Sequence, residues 1–127
     1  MTITLPVWPR SLVDDVLRHA PPTPAELERA IDVIEDALTD SPLARSGRGN
    51  LLTADALLQA LPGLETPGMR LTRDAVEALF QRLASRSLGM PVPTAALPAG
   101  RNVVAALVIL RECMHRLGFD VVAMISA

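Results

Sequence analysis

The sequence offers one cysteine and two histidines as potential metal ligands: Cys113, His115 and His19. Cys113 and His115 are two residues apart on a predicted helix, so their side chains diverge by roughly 200° at 3.6 residues per turn. His19 lies in a distant segment, and the sequence contains no Cys-x-x-Cys or His-x-x-x-His pair. We therefore expect no metal site, with Cys113 a structural thiol and His115 a surface residue.

A row of carboxylates follows the first strong helix signal. Glu28, Asp32 and Glu35 are three and four residues apart, which places them on one face of a helix. No histidine or second carboxylate helix completes a cation site. The row is therefore interpreted as a solvated face, with a docking surface for a basic partner as the alternative.

A glycine- and arginine-containing loop is the candidate anion site, comprising Arg45, Gly47, Arg48 and Gly49. Glycines let the backbone curl, and free N–H groups ahead of a predicted helix could hold an anion together with arginine. The loop lacks the Lys-Ser/Thr of a P-loop and does not follow a predicted strand. A mobile surface loop is the competing interpretation.

Four arginines favour a nucleic-acid hypothesis, and they lie on or next to a predicted helix from Thr72 to about Ser87: Arg70, Arg73, Arg82 and Arg86. Residues 70–127 hold seven arginines against four carboxylates, whereas residues 1–69 hold five against ten. However, a net charge of −2 is unlike most DNA-binding domains. The connection of about ten residues to the preceding predicted helix also exceeds a helix-turn-helix turn.

The sequence argues against a stand-alone enzyme. It contains no Gly-x-Ser-x-Gly motif. Its one cysteine falls inside a predicted helix, away from a helix N-terminus that would lower the thiol pKa. With two histidines, no tyrosine and no lysine, few general acids and bases are available. We expect no catalytic residues and no cofactor.

Composition indicates one folded domain. The chain has 127 residues, half of them hydrophobic and a fifth charged. The absence of lysine and the scarcity of aromatic residues suggest a GC-rich bacterial genome. Pro6 and Pro9 stand where a signal peptide needs a continuous apolar helix. The longest apolar run, residues 103–110, is too short to span a membrane. We expect a soluble, cytoplasmic protein without a disulfide.

Capping signals predict the helices. Thr23 and Glu26 form a capping box, Thr53 and Thr72 can cap two further helices, and the last helix runs from about Gly100 to Leu117. The first half of that last helix is apolar nearly all round, which is typical of the buried centre of a bundle. The predicted fold is all-α, a single-domain bundle of four or five helices spanning residues 1–127. Residues 1–9 form an extended arm and residues 119–127 an extended tail, either of which is short enough to be a strand.

The apolar chain ends suggest a function in association. A chain of this size has difficulty burying every apolar segment, and exposed apolar area usually marks an interface. We therefore predict a non-catalytic protein-interaction or accessory/assembly module that acts with a protein partner or as a homo-oligomer. A nucleic-acid-binding helical domain and a small apolar-ligand carrier are the alternatives. The candidate interface residues are Trp8, Phe119, Val121, Val122, Met124 and Ile125.

Overall fold

The structure, a computed structural model, describes residues 13–19, 22–39, 49–90 and 100–126. Both helices and strands occur along these residues. Their order is α1 (Pro24–Thr39), β1 (Gly49–Thr53), a 3₁₀ turn (Leu58–Ala60), β2 (Arg70–Thr72), α2 (Arg73–Ser87), α3 (Arg101–Leu117) and β3 (Phe119–Met124). Residues 13–15 are also helical. Within the described ranges, no helix is long and apolar enough to cross a membrane.

Helices α1 and α2 begin where their capping residues predict. The Thr23 hydroxyl accepts a hydrogen bond from the Glu26 N–H at 3.2 Å, and Glu26 Oε1 accepts one from the Thr23 N–H at 2.9 Å. This reciprocal pair satisfies two backbone donors that the first helical turn leaves free. At α2, the Thr72 hydroxyl accepts from the Ala75 N–H at 3.1 Å. Both predicted caps are confirmed.

Helix α3 is the central helix of the core. It begins after Gly100 and ends at Gly118, whose left-handed backbone (φ +77°) is a conformation that glycine adopts without steric cost. Every residue from Val104 to Leu110 is buried, as the all-round apolar pattern predicts. Helices α1 and α2 both pack against α3, and α3 also contacts β3.

The three strands form one mixed sheet in the order β1-β3-β2. Strand β3 lies at its centre, parallel to β1 and antiparallel to β2. Val122 of β3 lies opposite Leu51 of β1 on one side and Leu71 of β2 on the other. Because β1 and β3 are parallel, the chain crosses over between them by way of β2, α2 and α3.

The predicted all-α bundle is wrong, because the fold is α/β with a mixed sheet at its core. Residues 49–53 form β1, so Thr53 does not cap a helix, and only a short 3₁₀ turn follows. The predicted tail is a strand over Phe119–Met124 and lies at the centre of the sheet. Its burial pattern explains the strand, because Phe119, Val122 and Met124 are at most 1% exposed. The arm predicted for residues 1–9 lies outside the described residues.

Candidate functional site

The parallel strands β1 and β3 end at the same side of the sheet, here called the carboxyl edge (residues 53–57 and 124–126). The Ile125 N–H donates to the Thr53 carbonyl oxygen at 2.8 Å, which aligns the two strand ends. The Gly68 N–H donates to the Met124 carbonyl at 2.8 Å and brings the loop before β2 to the same edge. In open α/β sheets, ligands bind outside the carboxyl ends of the parallel strands. The carboxyl edge is therefore a candidate ligand-binding site.

Thr53 and Asp55 are the functional side chains that this edge presents. The Thr53 hydroxyl, 2% exposed, accepts from the Asp55 N–H at 3.1 Å. Asp55 Oδ1 accepts from the Leu57 N–H at 2.8 Å, and Oδ2 has no hydrogen-bond partner among the described residues. Both N–H groups are thus occupied by neighbouring side chains and do not form an open nest for an anion. The edge instead offers one oriented, half-buried carboxylate, which could act as a base or hold a cation.

A second site lies at the other end of the sheet, in a cleft between the first turns of α2 and the last turns of α3. We call it the α2–α3 cleft. It has a volume of about 340 Å³ and mixes basic, acidic and apolar side chains. Its lining residues are Arg73, Asp74, Val76, Glu77, Arg111, Met114 and His115.

Arg111 is held rigidly at this cleft. Its Nε and Nη2 donate to the two oxygens of Glu77 at 2.8 and 3.3 Å, and its Nη1 donates to Glu112 Oε1 at 2.7 Å. The guanidinium lies over the Phe80 ring, 4.3 Å from the centroid. The hydrogen bonds from Arg111 lower the pKa of Glu77. Burial works to lower the pKa of Arg111, but the two carboxylates outweigh it and raise that pKa.

Glu112 extends this network into the core. Its side chain is 1% exposed, and its Oε2 has no hydrogen-bond partner within the described part of the chain. Arg116 Nε lies 3.9 Å from that oxygen, and Arg116 also pairs with Glu35 on α1. Burial raises the pKa of Glu112, against the opposing charge of Arg111. Charged side chains thus connect α1, α3 and α2 in one chain of contacts.

Cys113 and His115 lie in different surroundings on α3. Cys113 is buried, and burial raises the pKa of its thiol to about 12, as expected of a structural thiol. His115 is exposed and lines the α2–α3 cleft. No group of three or more histidine, cysteine, aspartate or glutamate side chains could hold a metal ion within the described ranges. In the acidic row, Glu28 and Asp32 are exposed, whereas Glu35 is engaged by Arg116.

The structure does not bring the other predicted candidates together. Arg45, Gly47 and Arg48 lie outside the described residues, and Gly49 is the first residue of β1. A strand therefore follows the candidate anion loop, and the helix N-terminus expected there is absent from residues 49–57. Arg73 and Arg82 are nine residues apart on α2, which turns them to opposite sides of that helix. Arg82 and Arg86 share a side, and Arg70 is exposed on β2.

The candidate interface residues are mostly in the core. Phe119, Val122 and Met124 are buried within this chain, and Val121 and Ile125 are half-buried. Their burial removes the exposure on which the interface prediction depended for this segment. Trp8, its remaining member, lies outside the described residues.

Sequence reasoning missed both sites. The carboxyl edge depends on β1. The sequence predicted a loop and a helix cap at Thr53 where the structure has this strand. The α2–α3 cleft depends on the pairing of Glu77 with Arg111 across 34 residues, for which the sequence has no local signal. The spacing of Glu112 and His115, three residues apart on one helix, could have directed attention to this part of α3.

Several solved structures share this fold. A Ppx/GppA family member from Aquifex aeolicus superposes with a TM-score of 0.66 at 15% identity, covering 96% of this chain and 43% of that one. The type II variant of the Aquifex aeolicus Ppx/GppA phosphatase gives a TM-score of 0.65 at 16% identity, with coverage of 96% and 44%. An exopolyphosphatase-like protein gives 0.61 at 13% identity, covering 93% and 44%. No family model and no curated protein matches the sequence.

These likenesses overturn the functional prediction. The sequence predicted a non-catalytic interaction or assembly module from its apolar chain ends, with a nucleic-acid-binding domain and a small apolar-ligand carrier as alternatives. Two of the structural neighbours are instead described as a Ppx/GppA phosphatase and an exopolyphosphatase-like protein. At 13–16% identity the likeness shows the fold alone. The chain thus has the fold found in Ppx/GppA proteins and spans less than half of the length of those neighbours.

Proposed function

We propose that this chain is a phosphatase-like domain that binds a phosphate-bearing substrate, with inorganic polyphosphate as the substrate class, at its carboxyl edge. The observation that carries the proposal is the superposition of 96% of the chain on Ppx/GppA structures. The substrate class comes from the neighbour described as exopolyphosphatase-like. The position follows from the parallel pair β1–β3, because ligands of such sheets bind outside the carboxyl ends of the strands.

Asp55 is the residue that we assign to this function. Its Oδ1 is fixed by the Leu57 N–H, and its Oδ2 is without a hydrogen-bond partner among the described residues. Mg²⁺ in phosphate-processing sites is usually held by one or two carboxylates together with the phosphates of the substrate. Among residues 53–57, Asp55 provides the carboxylate for such an ion. The bound Mg²⁺ would offset the charge repulsion between Asp55 and the phosphates.

The carboxyl edge by itself is an incomplete phosphatase site. The N–H groups of Asp55 and Leu57 are already occupied, so they do not cradle a phosphate group. The neighbouring structures are more than twice as long as this chain. We therefore propose that a second domain or partner polypeptide contributes the remaining phosphate contacts, and that this chain alone binds substrate more readily than it turns it over.

The test is calorimetric titration of the chain with inorganic tripolyphosphate in the presence of Mg²⁺. We expect saturable binding that Asp55→Asn weakens by roughly tenfold, which corresponds to about 1.4 kcal/mol. Asp120→Asn is the matched control, because Asp120 is an exposed aspartate near the other end of the same sheet. Release of orthophosphate from polyphosphate is the second readout.

Two results would contradict the proposal. One is the absence of both binding and orthophosphate release. The other is binding that Asp55→Asn and Asp120→Asn weaken equally, since a loss that does not depend on position reflects net charge alone.

A further inference from the structure

The α2–α3 cleft lies away from the carboxyl edge. Strand β2 runs antiparallel to β3, with Arg70 opposite Ala123 and Thr72 opposite Val121. The first turn of α2 therefore begins toward the end of the sheet opposite to the strand ends at Thr53 and Met124. At about 340 Å³, the cleft is within the size range of small-molecule sites. Nothing in the proposed function uses it.

Arg111 lines this cleft with a guanidinium that its carboxylate partners hold in place. A guanidinium has five N–H groups. Three of those on Arg111 donate hydrogen bonds, one each from Nε, Nη1 and Nη2. One N–H on Nη1 and one on Nη2 remain without an acceptor among the described residues. Because Glu77, Glu112 and the Phe80 ring already fix the guanidinium, a ligand would lose little side-chain entropy in using these donors.

The charges that line the cleft balance, with Arg73 and Arg111 against Asp74 and Glu77. Glu77 is neutralised by two hydrogen bonds from Arg111 and accepts a third from Gln81 at 2.9 Å. Arg73 is exposed at the first position of α2, where the helix dipole adds partial positive charge. His115 lines the facing wall and is the other cleft residue that can carry positive charge. Asp74 and Glu77 oppose these charges, so a ligand anion would be held by specific N–H donors and not by net positive charge.

We propose that the α2–α3 cleft is a binding site for a small oxyanion, a carboxylate or a phosphate group. Arg111 provides preorganised N–H donors, and Arg73 provides positive charge at the first turn of α2. Val76 and Met114 line the cleft beside the charged groups and would contact an apolar part of the ligand. This site is independent of the proposed function, because it involves neither Asp55 nor the ends of the parallel strands.

The test is a ¹H–¹⁵N NMR titration of the whole chain, in separate arms with sodium phosphate and with sodium succinate. We expect saturable shifts at residues 73–77 and 111–115. Arg73→Gln should weaken the affinity by roughly fivefold, as for the loss of one exposed charge contact. Arg82→Gln is the matched control, because Arg82 is an exposed arginine on the opposite side of α2. Saturation by phosphate alone, by succinate alone or by both identifies the ligand class, and each supports the inference.

The same spectra separate this inference from the proposed function. Saturable shifts confined to residues 53–57 and 124–126 would overturn the cleft site and leave the carboxyl edge standing. Shifts confined to the cleft would support the inference and count against phosphate binding at the edge. Equal weakening by Arg73→Gln and Arg82→Gln, or no saturable shift in either arm, would also overturn the inference.

Discussion

At the scale of single residues, Glu112 is the one carboxylate buried in the described core. A buried carboxylate needs partners for both of its oxygens, and Glu112 has one hydrogen bond, from Arg111 to Oε1. Arg116 Nε is 3.9 Å from Oε2, too far for a hydrogen bond. Burial raises the pKa of Glu112, as does the neighbouring charge of Glu35, whereas Arg111 and Arg116 lower it. The net rise means that the folded protein holds the Glu112 proton more tightly than the unfolded chain does.

This rise predicts how Glu112→Gln changes stability with pH. The unfolded chain ionises Glu112 from about pH 4.5, so the wild-type protein loses stability as the pH rises from there through the higher folded pKa. Glutamine keeps the acceptor for Arg111 and cannot ionise. Relative to wild type, the variant should therefore gain stability as the pH rises above about 4.5, by about 1.4 kcal/mol for each unit by which folding raises the pKa, measured by urea unfolding across pH. A relative stability that stays constant or falls with pH would contradict the prediction.

Glu77 also pairs with Arg111, but it predicts the opposite dependence of stability on pH. Hydrogen bonds from Arg111 are the largest influence on Glu77 and lower its pKa. Its contribution to stability is therefore present above pH 4.5 and is lost as the pH falls through the folded pKa. Glu77→Gln should cost up to about 1 kcal/mol near neutral pH, and this loss should shrink on acidification. The same urea unfolding series measures both variants, and a loss that grows on acidification would be inconsistent with this assignment.

At the scale of elements, the capping box shows how a short sequence determines a helix start. Thr23→Ala removes the acceptor for the Glu26 N–H and should lower the free energy of unfolding by about 1 kcal/mol. Thr23→Ser keeps a hydroxyl at the same place and should change it by only a few tenths of a kcal/mol. Chemical denaturation of the two variants provides the measurement. Equal losses in both would show that the threonine methyl, and not the hydroxyl, stabilises this turn.

Glu26 completes the same box and adds a pH dependence to α1. Burial works to raise the pKa of Glu26, but hydrogen bonds from the Thr23 and Arg18 N–H groups and from His19 lower it to about 2. The stability that Glu26 contributes is therefore present above pH 4.5 and is lost between pH 4.5 and about 2.

The elements that the sequence predicted are those with local chemical signals. Thr23, Thr72 and Gly118 mark helix ends through contacts within a few residues, and all three are in the expected places. The segment Gly49–Thr53 carries no such signal. Its Leu-Leu-Thr is too short for periodicity to distinguish strand from helix, and the apolar residues after it, including Leu57, repeat with helical spacing. Strand β2 has three residues, which are too few to show an alternation of polar and apolar side chains.

At the scale of the whole molecule, the sheet depends on contacts that are distant in sequence. Gly49 pairs with Phe119 across 70 residues, and Thr72 pairs with Val121 across 49. When these strand pairings are not known, the sequence identifies Phe119–Met124 only as an apolar extended segment. Whether that segment lies at the surface or in the core depends on β1 and β2, which is why the predicted fold class was wrong. The carboxyl edge forms only when β1 and β3 pair.

Two neighbouring valines test the central position of β3. Val122 is fully buried between β1 and β2, whereas Val121 points to the other face and is half-buried. Threonine has nearly the shape of valine but brings a hydroxyl, which costs about 1–3 kcal/mol where it finds no partner. Val122→Thr should therefore lower the urea midpoint clearly, and Val121→Thr should lower it much less, because its hydroxyl can reach water. If the two substitutions were equally costly, β3 would not be the buried central strand, and the parallel edge to which we assign phosphate binding would not be present.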